Sequence, residues 1–216
     1  MSWFRKALSG SIGQKLVMAI TGLFLIVFLV EHLIGNLMLL EKDGTSFNNY
    51  VLFMDNPFIK VAEYILFAGF IFHIAYAAII TTKNKKARPI GYQYSTPSQN
   101  SSWFSRNMGL SGSIVFIFLV VHLSHFFIPY KITHSADNTL YDTAIIVFSQ
   151  TWVVVLYVIG MCLLSFHLNH GFQSAFQTLG LRHSKYTPFI KKLGTAFAIV
   201  VPAAFAYIPI YIHFFR

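Results

Sequence analysis

The strongest constraint on this chain is a series of five long apolar runs. Each comes close to or exceeds the roughly 20 residues that cross a bilayer core as a helix. They lie at about 15–40, 58–82, 107–129, 149–176 and 193–214. Backbone polar groups in lipid must be satisfied within the segment, so such runs are read as helices. The expectation is an all-α membrane protein with five transmembrane helices, organised as one transmembrane domain over 1–216. Composition agrees: 56% of residues are hydrophobic and only 11% are charged. The first run is too long for the apolar core of a cleaved signal, and no convincing cleavage site accompanies it, so it reads as a retained span. The fifth run is expected to bend at Pro202 and Pro209. The short N-terminal segment, with Trp3, Phe4, Arg5 and Lys6, reads either as a surface amphipathic piece or as a loose tail. GYQYSTPSQNSS, residues 91–102, reads as a polar loop. Cys162 is the single cysteine, which excludes an internal disulfide or a thiolate cluster.

Loop charge predicts orientation. Arg5, Lys6 and Lys15 precede the first span. Lys83, Lys85, Lys86, Arg88 and Arg106 lie between the second and third, and Arg182, Lys185, Lys191 and Lys192 between the fourth and fifth. The opposite side holds only Lys42, Lys60, Lys131 and Arg216. The N-terminus is therefore expected inside and the C-terminus outside. The acids Glu31, Glu41, Asp43, Asp55, Glu63, Asp137 and Asp142 all fall toward the outer side. The basic face sets topology, and it also offers a docking surface for an acidic partner subunit.

Four of the runs each contain one deep histidine: His32, His73, His122 and His167. An ionisable residue within a membrane span is a functional hypothesis by default. Depth follows from a rise of about 1.5 Å per residue. His32 is 17 residues past Lys15, and His122 is 15 past Asn107, so both outward-running spans carry the imidazole near the outer side. His73 is 15 residues past Phe58, and His167 is 18 past Ser149, so both inward-running spans carry theirs near the inner side. In an up-down-up-down bundle the first and third spans are diagonal, as are the second and fourth. Two diagonal imidazole pairs at two depths match what two stacked six-coordinate haems require, since haem iron accepts neutral imidazole axially.

Gly69, Gly160 and Gly171 lie near these histidines. They either admit a flat ring or serve plain helix packing. A zinc or copper site would gather three or four ligands at one place, whereas these histidines separate by depth. His125 and His170, each three residues after a deep histidine, are alternative ligands by helical spacing or residues lining the edges. His134, His183 and His213 fall in loops or span ends and are expected to be solvated.

The stretches LIVFLVEHLIGNLML, FMDNPF, FIFHIAYAAIITTKN, FLVVHLSHFF and SFHLNHGFQSAF carry a resemblance. Over about Leu16–Phe176 the chain resembles the cytochrome b membrane-anchor subunit of bacterial succinate:quinone oxidoreductase (succinate dehydrogenase or fumarate reductase), in its five-span, two-haem form. The resemblance implies spans one to four bundled around two haem b groups, with His32 and His122 axial to the outer one and His73 and His167 to the inner one. It implies a flavoprotein partner with FAD and an iron–sulfur partner at the inner face of a bacterial cytoplasmic membrane. It also implies electron transfer from succinate to a quinone, usually menaquinone, as part of the enzyme complex; the chain would not act on succinate alone. The fifth span matches only as a hydrophobic helix.

Three further residues are assigned roles on this basis. Arg182 and Lys185 are candidates for the inner haem propionates. Asp55, with Glu31 and Glu63 as competitors, is the candidate for protonating the quinone at the outer edge; its alternative role is to cap the turn before Pro57. No carboxylate lies in the inner halves of the second or fourth spans. Other readings remain: a di-haem quinol-oxidising subunit of another respiratory complex, a fumarate reductase running in reverse, a proton-coupled transporter, or an anchor without haem.

Overall fold

The structure, a computed structural model, describes residues 10–87, 103–132 and 138–216. Among the described residues, five helices are long and apolar enough to cross a membrane: Ser11–Leu40, Pro57–Lys86, Met108–Ile132, Thr151–Thr178 and Thr187–Phe215. They match the five apolar runs, with ends shifted by a few residues. The chain is a multi-pass membrane protein. Arg5, Lys6, Arg88, His134 and Asp137 lie outside the described residues, as does the 91–102 loop.

The first span is α1 (Ser11–Leu37), which tightens into a 3₁₀ turn at Met38–Leu40. A short helix, α2 (Thr45–Met54), follows, and α3 (Pro57–Lys86) is the second span. Its start is set by Asn56, whose side chain accepts the Phe58 N–H, and by Pro57 in the first turn. The capping alternative for Asp55 thus belongs to its neighbour. The third span is α4 (Met108–His122), continued by a π-helical stretch, Leu123–Ile132, that contains Pro129. The wider winding begins directly after His122, and such segments gather at functional sites. A second short helix, α5 (Leu140–Phe148), is closed by a capping box in which Thr139 and Asp142 satisfy each other's backbone N–H.

The fourth span is α6 (Thr151–Thr178). It ends at Gly180, at φ 74°, where Leu181 N–H bonds the Phe176 carbonyl and Gly180 N–H bonds that of Gln177. This is a left-handed glycine cap. The fifth span, α7 (Thr187–Phe215), runs through Pro202 and Pro209 as one helix, and both prolines are buried.

Helices α1 and α3, α1 and α6, and α4 and α6 are packed neighbours; α3 and α4 touch more sparsely. Between α1 and α4, and between α3 and α6, there is at most marginal contact, so these are the diagonals of a four-helix bundle. Helix α7 packs along α6 and also reaches α1. Buried residues concentrate on α6 and α7, while α3 buries only Gly69 and α4 buries none. The tightest apolar cluster lies at the acidic end of the bundle, where Leu39, Phe47, Ala144, Phe148, Val153, Tyr157 and Ile208 meet. This cluster holds α2 and α5 across the bundle end.

Candidate functional site

A cleft of about 2710 Å³ runs through the bundle. One drug-sized ligand fills about 300–1,000 Å³, so the cleft has room for more than one cofactor-sized group. His32, His73, His122 and His167 all line it. Toward the acidic end, the His32 and His122 ring centres are 5.7 Å apart and nearly perpendicular. Toward the basic end, His73 and His167 are 6.4 Å apart at 76°. The residues paired by counting depth are therefore the ones that meet, and each pair spans a diagonal of the bundle.

A coordinating imidazole nitrogen lies about 2.0–2.1 Å from its metal, so two imidazoles on opposite faces of one metal have ring centres roughly 6.4 Å apart. The basic-end separation of 6.4 Å matches that value, and the acidic-end pair, at 5.7 Å, stands closer than it. Among the described residues, no three of His, Cys, Asp and Glu converge as a metal-ion site. The imidazoles meet in twos, the donor set of a bis-imidazole haem.

The acidic-end pair is walled by rings. Phe28 stacks on His32 at 5.1 Å and Phe205 approaches it at 5.6 Å. Phe118, Phe126 and Tyr157 approach His122 at 6.1, 5.4 and 6.1 Å. The Tyr157 hydroxyl lies 3.5 Å from His122 Nδ1 and 3.2 Å from His125 Nδ1. His125 thus joins a side-chain network beside His122. The Asn36 amide donates to the His32 carbonyl at 2.7 Å and lies 3.4 Å from His32 Nδ1.

The basic-end pair has smaller neighbours. His73 Nδ1 lies 3.2 Å from Thr21 Oγ1. A Cβ on Gly22 would stand 3.3 Å from His73 Cε1, and one on Gly112 would stand 3.6 Å from His167 Cε1. His167 Nδ1 is buried with no hydrogen-bond partner. Of the glycines singled out in the sequence, Gly69 and Gly160 follow the packing alternative. Gly69 and Gly160 face the rings of Phe24 and Phe118, which is helix packing, and Gly171 has nothing within 4 Å. Gly22 and Gly112, which face the imidazoles, escaped notice because each lies on a different helix from the histidine it meets.

His170 lines the same cleft one turn beyond His167. His183 is exposed in the turn before α7, where its Nδ1 accepts the Lys185 N–H. His213 differs from its solvated expectation: its Nδ1 donates to the Phe148 carbonyl at 3.0 Å, and Thr151 Oγ1 lies 3.3 Å from its Nε2. It clips the α5–α6 corner to α7. Cys162 is exposed on α6.

Arg182 lines the basic mouth of the cleft with Lys15, Lys85, Arg106 and Lys191. Lys185 is exposed, its ammonium 5.5 Å from the Tyr186 ring centre. At the other mouth Asp55 accepts from the Tyr130 hydroxyl at 2.6 Å and from Lys131 at 2.5 Å; Glu63 is 3.8 Å from the same ammonium. Lys131 and then Tyr130 hold the Asp55 carboxyl below the usual carboxylate range. The Tyr50 hydroxyl donates to Glu31, and burial followed by that carboxylate pushes the phenol up.

Over 186 residues the chain is 25% identical to the succinate dehydrogenase cytochrome b558 subunit of Bacillus subtilis (strain 168), a match covering 84% of this chain and 85% of that protein. No family model matches the sequence. No solved structure matches it.

Proposed function

We propose that this chain is the cytochrome b membrane anchor of a succinate:quinone oxidoreductase and binds two haem b groups, one held by His32 and His122 and the other by His73 and His167. The observation that carries the reading is the pair of facing imidazoles at each of two depths. The similarity to a succinate dehydrogenase cytochrome b558 subunit, nearly end to end, supports the same assignment. When bound, the two haems supply one-electron carriers between an inner donor and an outer acceptor. The chain's own residues orient the axial imidazoles, exclude water with apolar helix faces, and supply charge at the two mouths.

The basic mouth is taken as the inner side, with the N-terminus inside and the C-terminus outside, by the excess of Lys and Arg there. It docks the FAD-bearing flavoprotein and the iron–sulfur subunit. Arg182, on the cleft, is the better placed of the two propionate candidates; Lys185 lies further out. The acidic mouth is the quinone side, with menaquinone as the acceptor class. Quinone reduction takes up protons, which requires polar groups at the membrane edge. Asp55, Tyr130, Lys131 and Glu63 form such a cluster. Asp55, held ionised by these partners, fixes the Tyr130 hydroxyl and the Lys131 ammonium in place, and those two groups carry the protons for the quinone. The test is the visible spectrum and haem content of the purified complex. Two b-type haems per chain are expected, and a haem-free complex that still reduces quinone from succinate rejects the proposal.

A further inference from the structure

We infer that Thr21, on the first span, is a positioning residue for the His73 imidazole of the second: its hydroxyl fixes the proton on Nδ1 and leaves Nε2 bare for a metal. The inference rests on the haem reading above. It starts from the single proton of a threonine hydroxyl. Thr21 Oγ1 lies 2.8 Å from the Val17 carbonyl and 3.2 Å from that of Met18. This is the back-bond to the preceding turn that threonine makes within helices. With the proton committed to Val17, only lone pairs remain toward His73 Nδ1, at 3.2 Å. Nδ1 must then donate, because a bare nitrogen would set lone pair against lone pair; the Met18 carbonyl, which also accepts from this imidazole, is a second acceptor beside the hydroxyl. Neutral imidazole carries one proton, so Nε2 is the free ligand atom. Gly22 completes the cradle: even a methyl there would come within 3.3 Å of Cε1.

The partner imidazole lacks this arrangement, since His167 Nδ1 is buried without a partner. The inner pair is therefore electronically unequal. A donated Nδ1–H raises the basicity of the other nitrogen, which favours the ferric iron over the ferrous.

The experiment compares Thr21→Val, which keeps the branched shape, with Thr21→Ser, which keeps the hydroxyl, in the haem-loaded complex by redox titration of both haems. Thr21→Val should raise the inner potential. A change at the low end of the ten- to hundred-fold range typical of outer-shell partners is about tenfold in the reduced-to-oxidised ratio at the parent midpoint, or about 59 mV for one electron. Thr21→Ser should return the parent value, and the outer haem should not move. If both haems are present and Thr21→Val titrates like the parent, the inference is overturned. If Thr21→Val loses the inner haem, retention with the parent potential in Thr21→Ser upholds the hydroxyl's role, and its loss there too overturns it. A parent complex without haem defeats the functional reading itself.

Discussion

The two imidazole pairs sit in one cleft but are built differently. The His32–His122 pair is fixed by bulk, with Phe28, Phe118, Phe126, Phe205 and Tyr157 packed around it from four helices. The His73–His167 pair is approached by small groups, Gly22, Gly112 and the Thr21 hydroxyl. Packed rings hold an orientation through many weak contacts, and no single one is indispensable. A hydroxyl and two glycines hold it through a few close approaches, each of which matters. A facing imidazole pair is thus supported at one depth by packing and at the other by hydrogen bonding and backbone proximity.

Removing a ligand breaks the comparison most severely. His73→Ala or His167→Ala should eliminate the inner haem alone, and His32→Ala or His122→Ala the outer one alone, each halving haem per chain. The outer variants should also lose more thermal stability. Truncating a packed ring leaves a cavity costing a few kcal/mol, whereas the inner histidines stand among smaller neighbours. Haem extraction with a redox titration and a melting curve reads both. An identical residual spectrum and potential from His32→Ala and His73→Ala would show that depth does not define the pairs.

The mouths of the cleft differ as much as the pairs do. Asp55→Asn should keep both haems yet lower quinone reduction by more than tenfold, because it releases Tyr130 and Lys131 together. Succinate oxidation with an artificial acceptor at the soluble subunits should survive. Normal quinone turnover would remove Asp55 from the site. At the basic mouth, the double reversal Lys85→Glu and Lys86→Glu should weaken retention of the iron–sulfur subunit several-fold, and Lys42→Glu should not. Equal recovery of that subunit in a pull-down with both variants would dissociate docking from the basic face.

How much of this was legible in the sequence follows from which quantities are local. Span limits were, because apolar runs end at charges and at Pro57. Pairing by depth was, because helix rise per residue is nearly constant. Lateral neighbours were not, since rotation of one helix against another is set by packing. Thr21, Gly22 and Gly112 therefore gave no signal on their own helices, and neither did the place of His213 against Phe148. Helices α2 and α5 were also missed, being shorter than a span and amphipathic; the Thr139–Asp142 capping pair was the visible clue to α5. Asp55 showed its position but not its partners, because Tyr130 and Lys131 lie some 75 residues further along the chain.

The smallest expected effect concerns stability, and it decides how Asp55 works. Its carboxyl is held below the ordinary range, first by Lys131 and then by Tyr130. A carboxyl with a folded pKa below its unfolded value of about 3.9 contributes stability that is fully present above that value. The contribution is lost as pH falls through the folded pKa. The Asp55 side chain is 35% exposed, so solvent screens the ion pair. The pair is then worth no more than about 1 kcal/mol, or about 2–4 °C in a chain of this size. Asp55→Asn should therefore lower the Tm by a small amount that is constant from pH 8 to pH 5, with the two proteins converging only in acid below about pH 4. Melting curves across that range measure the difference directly. A gap that already closes between pH 8 and pH 6 would mean that Asp55 takes up a proton near neutrality, making the carboxyl itself the proton donor at the acidic mouth. A flat gap leaves Asp55 as a fixed negative charge, with proton delivery to the quinone falling to the Tyr130 hydroxyl and the Lys131 ammonium that it holds.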